Sequence, residues 1–251
     1  MLAKRIIACL DIKNGEVVKG IKFEGLKTVG NAVEFAIKYE QQGIDELVFL
    51  DITATNENRK TLISLVRDIA KNLRIPFTVG GGIKTIQDIN DLLEAGADKV
   101  SLNSAIVRNP ALITEAARKF GSQAVVAAID SKFVNGTNKV FINAGKIETE
   151  LITEDWCKKV YELGAGEILL TSMDHDGTKN GYPIDLLKNI SELVPLPLIA
   201  SGGAGTKEHF LEAFQKSNVD ACLAASLFHY NEIEIKDLKQ FLFTNKILVR
   251  L

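Results

Sequence analysis

The sequence predicts an α/β fold, a (β/α)8 TIM barrel with an internal two-fold half-barrel repeat, and three observations carry that expectation. Short apolar runs alternate with amphipathic helical segments eight times along 251 residues. The runs are continuously apolar rather than alternating, as expected of parallel strands covered on both faces. The chain also contains one pattern twice. Leu198–Gly205 runs an apolar strand into a glycine turn ahead of a helical segment, and Phe77–Ile83 is the same object, with Gly81 standing 121 residues before Gly202.

The echo continues on either side. Cys9-Leu10-Asp11 is repeated by Ala128-Ile129-Asp130 at an offset of 119, Val48-Phe49-Leu50 by Ile168-Leu169-Leu170 at 120, and Ser104 by Ser226 at 122. An offset that creeps upward is what small loop insertions do to duplicated halves. The expectation is one domain over 1–251, with half-barrels of about 1–120 and 121–251. A doubly wound open sheet is the alternative, but it would place the two halves in unequal surroundings.

The elements follow in order. Arg5–Asp11 reads as the first strand, and the polar stretch through Gly30 as a long loop. Asn31–Gln42 has helical apolar spacing and stops at Gly43. Leu47–Ile52 is the second strand, followed by a polar loop and a helix to about Leu73. Phe77–Val79 and Lys99–Asn103 are the third and fourth strands, with a helix over about Thr85–Ala95 between them. Pro110 opens a helix that ends near Phe120. Ala124–Asp130 is the fifth strand; Val134-Asn135-Gly136 and then Val140-Phe141-Ile142 predict a hairpin after it. The second half then repeats strand and helix: Thr153–Leu163, Glu167–Thr171, Ile184–Leu193, Leu198–Ser201, a helix to about Lys216, Ala221–Ala225, and a last helix near Ile235–Phe243.

The totals exclude several classes. A net charge of −2 gives no electrostatic case for nucleic acid, and no apolar run approaches a membrane span. Met1–Leu10 is too short for a signal peptide, so a cytoplasmic protein is expected. Cys9, Cys157 and Cys222 are odd in number and far apart, which favours reduced thiols over disulfides. His175, His209 and His229 have no metal-ligand spacing, and neither a metal nor a cofactor is expected.

In this fold, chemistry sits at the C-terminal ends of the strands. Asp11 and Asp130 close the first and fifth strands, opposite one another, and invite acid/base work. The glycine turns after strands three and seven lie beside strand ends bearing a hydroxyl. Gly82 with Asn103 and Ser104 would cradle one phosphate on outward-pointing N–H groups. Gly203 with Ser226 would cradle another, with Gly177 adding donors. Two cradles with two carboxylates between them fit an elongated substrate phosphorylated at both ends. At the opposite end, strand parity puts Arg5, Glu46, Lys99 and Glu167 on the lumen face, a neutral ring able to close the barrel's bottom.

The segments Arg5–Asp11, Phe49–Ala54, Val79–Ile83, Gly121-Ser122-Gln123, Asp174 with Asp176-Gly177-Thr178, Ile199–Gly205 and His209–Phe214 together resemble one family, the cyclase subunits of imidazole glycerol phosphate synthase in histidine biosynthesis. The resemblance implies reaction of ammonia with a bisphosphorylated ribulosyl formimino-carboxamide nucleotide. Asp11 and Asp130 match the acid/base pair, and Lys19 a substrate-loop position. Thr171 and Asp176 join the substrate-binding set, and the bottom ring matches the gate of an ammonia channel. A glutaminase subunit docked on the N-terminal face is implied, since no Gly-x-Cys-x-Gly nucleophile turn is present. His175 stands where arginine is more usual, and Pro183 where an acidic residue is common. A sister barrel that isomerises the preceding aminoaldose bisphosphate shares the repeat and both carboxylates. Asp51-Ile52-Thr53-Ala54, Asp176-Gly177-Thr178 and the bottom ring favour the cyclase. A non-catalytic phosphate-binding subunit is a third reading, which the two intact carboxylates oppose.

Overall fold

The computed structural model describes residues 2–13, 15–21, 24–52 and 56–251. Its first half runs β1 (Arg5–Lys13), β2 (Glu16–Ile21), β3 (Glu24–Asn31), α1 (Ala32–Gln41), β4 (Glu46–Asp51), α2 (Asn56–Asn72), β5 (Phe77–Gly80), α3 (Ile86–Glu94), β6 (Lys99–Leu102), α4 (Ser104–Arg108) and α5 (Ala111–Phe120). A 3₁₀ turn, Ser122–Ala124, leads into the second half. There follow β7 (Val125–Val134), β8 (Thr137–Ile142), β9 (Ile147–Ile152), α6 (Thr153–Glu162), β10 (Glu167–Ser172), α7 (Ile184–Leu193), β11 (Leu198–Ser201), α8 (Lys207–Lys216), β12 (Ala221–Ala224), α9 (Ser226–His229) and α10 (Ile235–Thr244).

Eight of the strands form a closed parallel ring in the order β1, β4, β5, β6, β7, β10, β11, β12. The closing pair aligns Arg5 with Ala221 and Ala8 with Ala224. This is a (β/α)8 barrel, as the continuous apolar runs predict. Its two faces sort by parity. Ile6, Ala8, Leu10 and Ile12 pack outward with the helices into the main core, whereas Ile7 and Cys9 meet Val48, Val126, Leu169, Ile199 and Leu223 inside the barrel. The helices are set by local signals. Asn31 caps α1 by accepting from the N–H groups of Val33 and Glu34, and Thr85 and Asp88 form a capping box on α3.

The long loop expected between Asp11 and Gly30 is a correction. Strand β1 continues to Lys13 and turns through Gly15 into the antiparallel pair β2–β3, with Ile12 opposite Val17. Val17 and Val18 are buried, so the stretch has a core-facing side that its overall polarity hides. The predicted second excursion is present as β7–β8 and gains a third strand, β9, four of whose six residues are exposed. Each half-barrel therefore extends its first strand into an antiparallel excursion over the C-terminal face. The duplication reaches into the loops.

Candidate active site

Asp11 and Asp130 occupy the C-terminal ends of β1 and β7, the first and fifth strands around a ring of eight, and so lie diametrically opposed. Asp11 shares the lumen parity of Ile7 and Cys9 and aligns with Leu50 of β4. Asp130 aligns with Thr171 of β10, which places that hydroxyl beside it. Burial pushes the Asp130 carboxyl up to about 6. A hydrogen bond with the Asn103 side chain opposes the rise, and the charge of Asp176 adds to it. Asp176 itself is exposed on the loop after β10, where its N–H donates to the Ser172 carbonyl at 2.9 Å.

The glycine turns and hydroxyls are brought together by strand adjacency. β5 pairs with β6, so Gly81-Gly82 lies beside Asn103-Ser104; β11 pairs with β12, so Gly202-Gly203 lies beside Ser226. Both turns need glycine. Gly81 has φ +95°, and a Cβ there would sit 2.0 Å from the Asp51 carbonyl oxygen; at Gly203, φ is +110° and a Cβ would meet the Gly181 carbonyl oxygen at 2.0 Å. Such turns leave no room for a side chain. Gly177 also has positive φ, +75°, on the exposed loop that Gly181 ties to the second turn by donating to the Gly203 carbonyl at 2.8 Å. On the same loop the Ser172 hydroxyl and His175 Nδ1 are 2.8 Å apart, which fixes the imidazole. Lys19 lies on β2, opposite Lys27, and its side chain is outside the described residues, as are Thr53 and Ala54.

At the other end of the lumen the four charges meet in a closed cycle. Arg5 donates to Glu46 at 2.7 Å and to Glu167 at 2.5 Å; Lys99 donates to Glu46 at 2.9 Å and to Glu167 at 2.7 Å. Both glutamates are buried. Thr78, which shares the lumen face, completes the set by donating to Glu46 at 3.0 Å. Strand parity would have signalled Thr78, but only a charged residue draws the eye at a strand start. Asn143, whose N–H reaches the Ser104 hydroxyl, was likewise missed, because nothing local connects residues 39 apart.

Comparison with known proteins separates the candidate chemistries for such a mouth. The sequence profile described as histidine biosynthesis protein matches residues 5–234. The chain belongs to that family. The histidine biosynthesis relatives include imidazole glycerol phosphate synthase subunit HisF of Hydrogenobaculum sp., 60% identical over 252 residues, covering 100% of both chains. The proteins of the same name from Flavobacterium psychrophilum and Flavobacterium johnsoniae are each 57% identical over 251 residues, again covering 100% of both chains.

Proposed function

We infer that this chain is the cyclase subunit of imidazole glycerol phosphate synthase. It uses ammonia to convert the bisphosphorylated ribulosyl formimino-aminoimidazole carboxamide nucleotide into imidazole glycerol phosphate and aminoimidazole carboxamide ribotide. The observation that carries the site assignment is the pair of carboxylates, one from each half-barrel, facing a mouth with a glycine turn and a hydroxyl on either side. The two turns hold the two phosphates, which orients the substrate's middle between Asp11 and Asp130. Gly82, Asn103 and Ser104 bind one phosphate; Gly203, Ser226 and the loop bearing Gly177 bind the other. Lys19, Thr171 and Asp176 line the substrate between them. A carboxyl titrating near pH 6 takes and returns a proton close to neutrality, which suits Asp130 to general acid–base work with Asp11 as its counterpart.

Ammonia arrives through the barrel. From Arg5 to Asp11 the lumen spans six residues of strand, about 20 Å at roughly 3.3 Å per residue. The apolar side chains of Ile7, Val48, Val126, Leu169 and Ile199 fill the middle. The Arg5–Glu46–Lys99–Glu167 cycle gates the entrance. A glutaminase subunit docks on the N-terminal face as the other half of a heterodimer. A groove of about 300 Å³ lined by Leu73, Arg74, Ile75, Pro76, Phe77 and Asp98 supports that face. So do the exposed Leu2, Leu248 and Leu251. The sequence has no Gly-x-Cys-x-Gly nucleophile turn, and burial pushes the Cys157 thiol up to about 12 and raises that of Cys222. Three buried cysteines, none of them in a disulfide, also agree with the reducing cytoplasm.

Two measurements test this reading. Ammonia-dependent turnover by Asp11→Asn and Asp130→Asn is expected to drop by about 10²–10⁴-fold, the usual worth of a general acid or base; retention within about threefold in both would overturn the acid/base assignment. The purified chain alone is expected to turn over with ammonium salt and not with glutamine. Glutamine-driven product from the isolated chain would rule out the separate glutaminase.

A further inference from the structure

The connection between β8 and β9 reaches back over the mouth, and it bears on the phosphate site assigned above to Ser104. Three successive residues of this connection, Asn143, Ala144 and Gly145, have φ of 56°, 54° and 76°. Asn and Gly enter that region readily and Ala144 at a steric cost, in a tip that is also tied down from outside. It is held at two points. Arg108 Nη2 donates to Asn143 Oδ1 at 2.6 Å, and the Asn143 N–H donates to Ser104 Oγ at 2.9 Å. The tip also closes on Met173 of the loop after β10, where a Cβ on Gly145 would lie 2.5 Å from Met173 Cε.

The second of these bonds decides what Ser104 can do. A serine hydroxyl accepts through lone pairs and donates one proton. With a peptide N–H already on its oxygen, its rotation is restricted and its proton is turned outward. The Asn103 Oδ1 stands 3.5 Å away, at the outer limit of a hydrogen bond, so that proton is available to a stronger acceptor. A phosphate oxygen is such an acceptor, and the bond it forms is charge-assisted.

We propose that Arg108 and Asn143 are positioning residues for one phosphate of the substrate: through the strained tip they hold the Ser104 hydroxyl as a ready donor. Arg108 acts through Asn143 and Ser104, not by touching the phosphate. The inference rests on Ser104 being a phosphate ligand, and a double-mutant cycle separates the two claims. In the ammonia-dependent assay of the full chain, Ser104→Ala is expected to raise KM about tenfold with kcat little changed, the size of one charge-assisted hydrogen bond. Arg108→Gln is expected to raise KM about fivefold, and Arg108→Gln with Ser104→Ala to be no worse than Ser104→Ala alone, because the two act as one unit.

Asn143→Gly keeps the left-handed backbone while removing the anchor for Arg108, and is expected to match Arg108→Gln. Asn143→Asp keeps both the backbone and the acceptor, and is expected to retain the parent KM. Two results would overturn the positioning role: an unchanged KM in both Arg108→Gln and Asn143→Gly, or independent, multiplying effects of Arg108→Gln and Ser104→Ala. An unchanged KM in Ser104→Ala would instead remove the phosphate assignment, and with it this inference.

Discussion

Asp130 keeps its proton longer than a carboxyl in water does, because the fold strips much of the hydration from the ionised form. The consequence for stability has a definite sign. In the unfolded chain the group titrates near 3.9, and in the folded chain at about 6, so between those values the folded state binds more protons. Stability contributed at this position is greatest below about pH 4 and is lost as pH rises through 6. Above pH 6 the fold carries a half-buried charge that it would be more stable without. Asp130→Asn is therefore expected to gain up to about 3 kcal/mol of unfolding free energy at pH 7.5. The gain over the parent should shrink to nothing near pH 4. Denaturant titrations of both proteins at the two pH values check this; a variant less stable than the parent at pH 7.5 would mean that Asn103 outweighs burial. Together with the expected loss of turnover, the variant exchanges activity for stability, as a functional carboxyl should.

Between residue and barrel stands a joint that the chain uses repeatedly where a helix returns to the sheet. Helix α1 ends on Gly43 at φ +86°, α3 on Gly96 at +113°, and α8 near Asn218 at +53°. The next residue but one is Asp in each case. Its N–H donates to a carbonyl at the start of the preceding strand: Asp45 to Ile6 at 3.1 Å, Asp98 to Phe77 at 3.1 Å, Asp220 to Leu198 at 2.9 Å. Its carboxylate accepts from the N–H of that same residue, at 2.8, 2.9 and 3.0 Å. Each clamp thus closes one βα unit onto its neighbour with a reciprocal pair of bonds, satisfying an N–H at the sheet's end. After α6 the equivalent residue is Gly166, where a Cβ would lie 2.1 Å from the Ser122 carbonyl oxygen. The 3₁₀ turn occupies the space that a carboxylate fills elsewhere. Asp220→Ala is expected to cost about 1–2 kcal/mol, the loss of a charge-assisted bond, and to lower Tm by roughly 2–8 °C. It lies at the N-terminal end, away from the mouth, so ammonia-dependent kcat/KM at 25 °C should not change. A calorimetric scan with an unshifted Tm would show the clamp to be energetically idle.

Across the whole barrel, the lumen is layered: charges at the entrance, apolar side chains in the middle, carboxylates at the exit. The layering follows from strand parity, since residues two apart share a face. The entrance cycle is balanced in charge, and its two glutamates are buried while Arg5 and Lys99 keep partial contact with solvent. Removing one cation leaves both glutamates sharing the other. Lys99→Met is expected to destabilise the barrel by about 3 kcal/mol or more, the usual result of breaking a buried ion pair from one side. Lys99→Arg, which retains the charge, should recover most of it. Chemical denaturation of the two variants makes the comparison, and equal stabilities would mean that the cycle is held by packing rather than charge.

Much of this architecture could be read directly along the chain. The strand Leu198–Ser201 and the helix Ile184–Leu193 have the bounds that their apolar pattern and flanking prolines and glycines predict. The candidate residues Asp11, Asp130, Gly82, Gly203, Ser104 and Ser226 were legible because the duplication marks each with a counterpart at a nearly constant offset. The β2–β3 excursion was not, since Val17 and Val18 are buried only through a partner strand that has to be in place first. Periodicity and duplication, which are properties of neighbouring residues, were enough to specify eight strands, their helices and the residues at each strand end. Ring closure alone could decide that each cation of the bottom ring bonds both glutamates, that Arg108 holds Asn143 over Ser104, and that Asp130 titrates near 6. Those outcomes depend on distance and dielectric between segments that no local pattern connects.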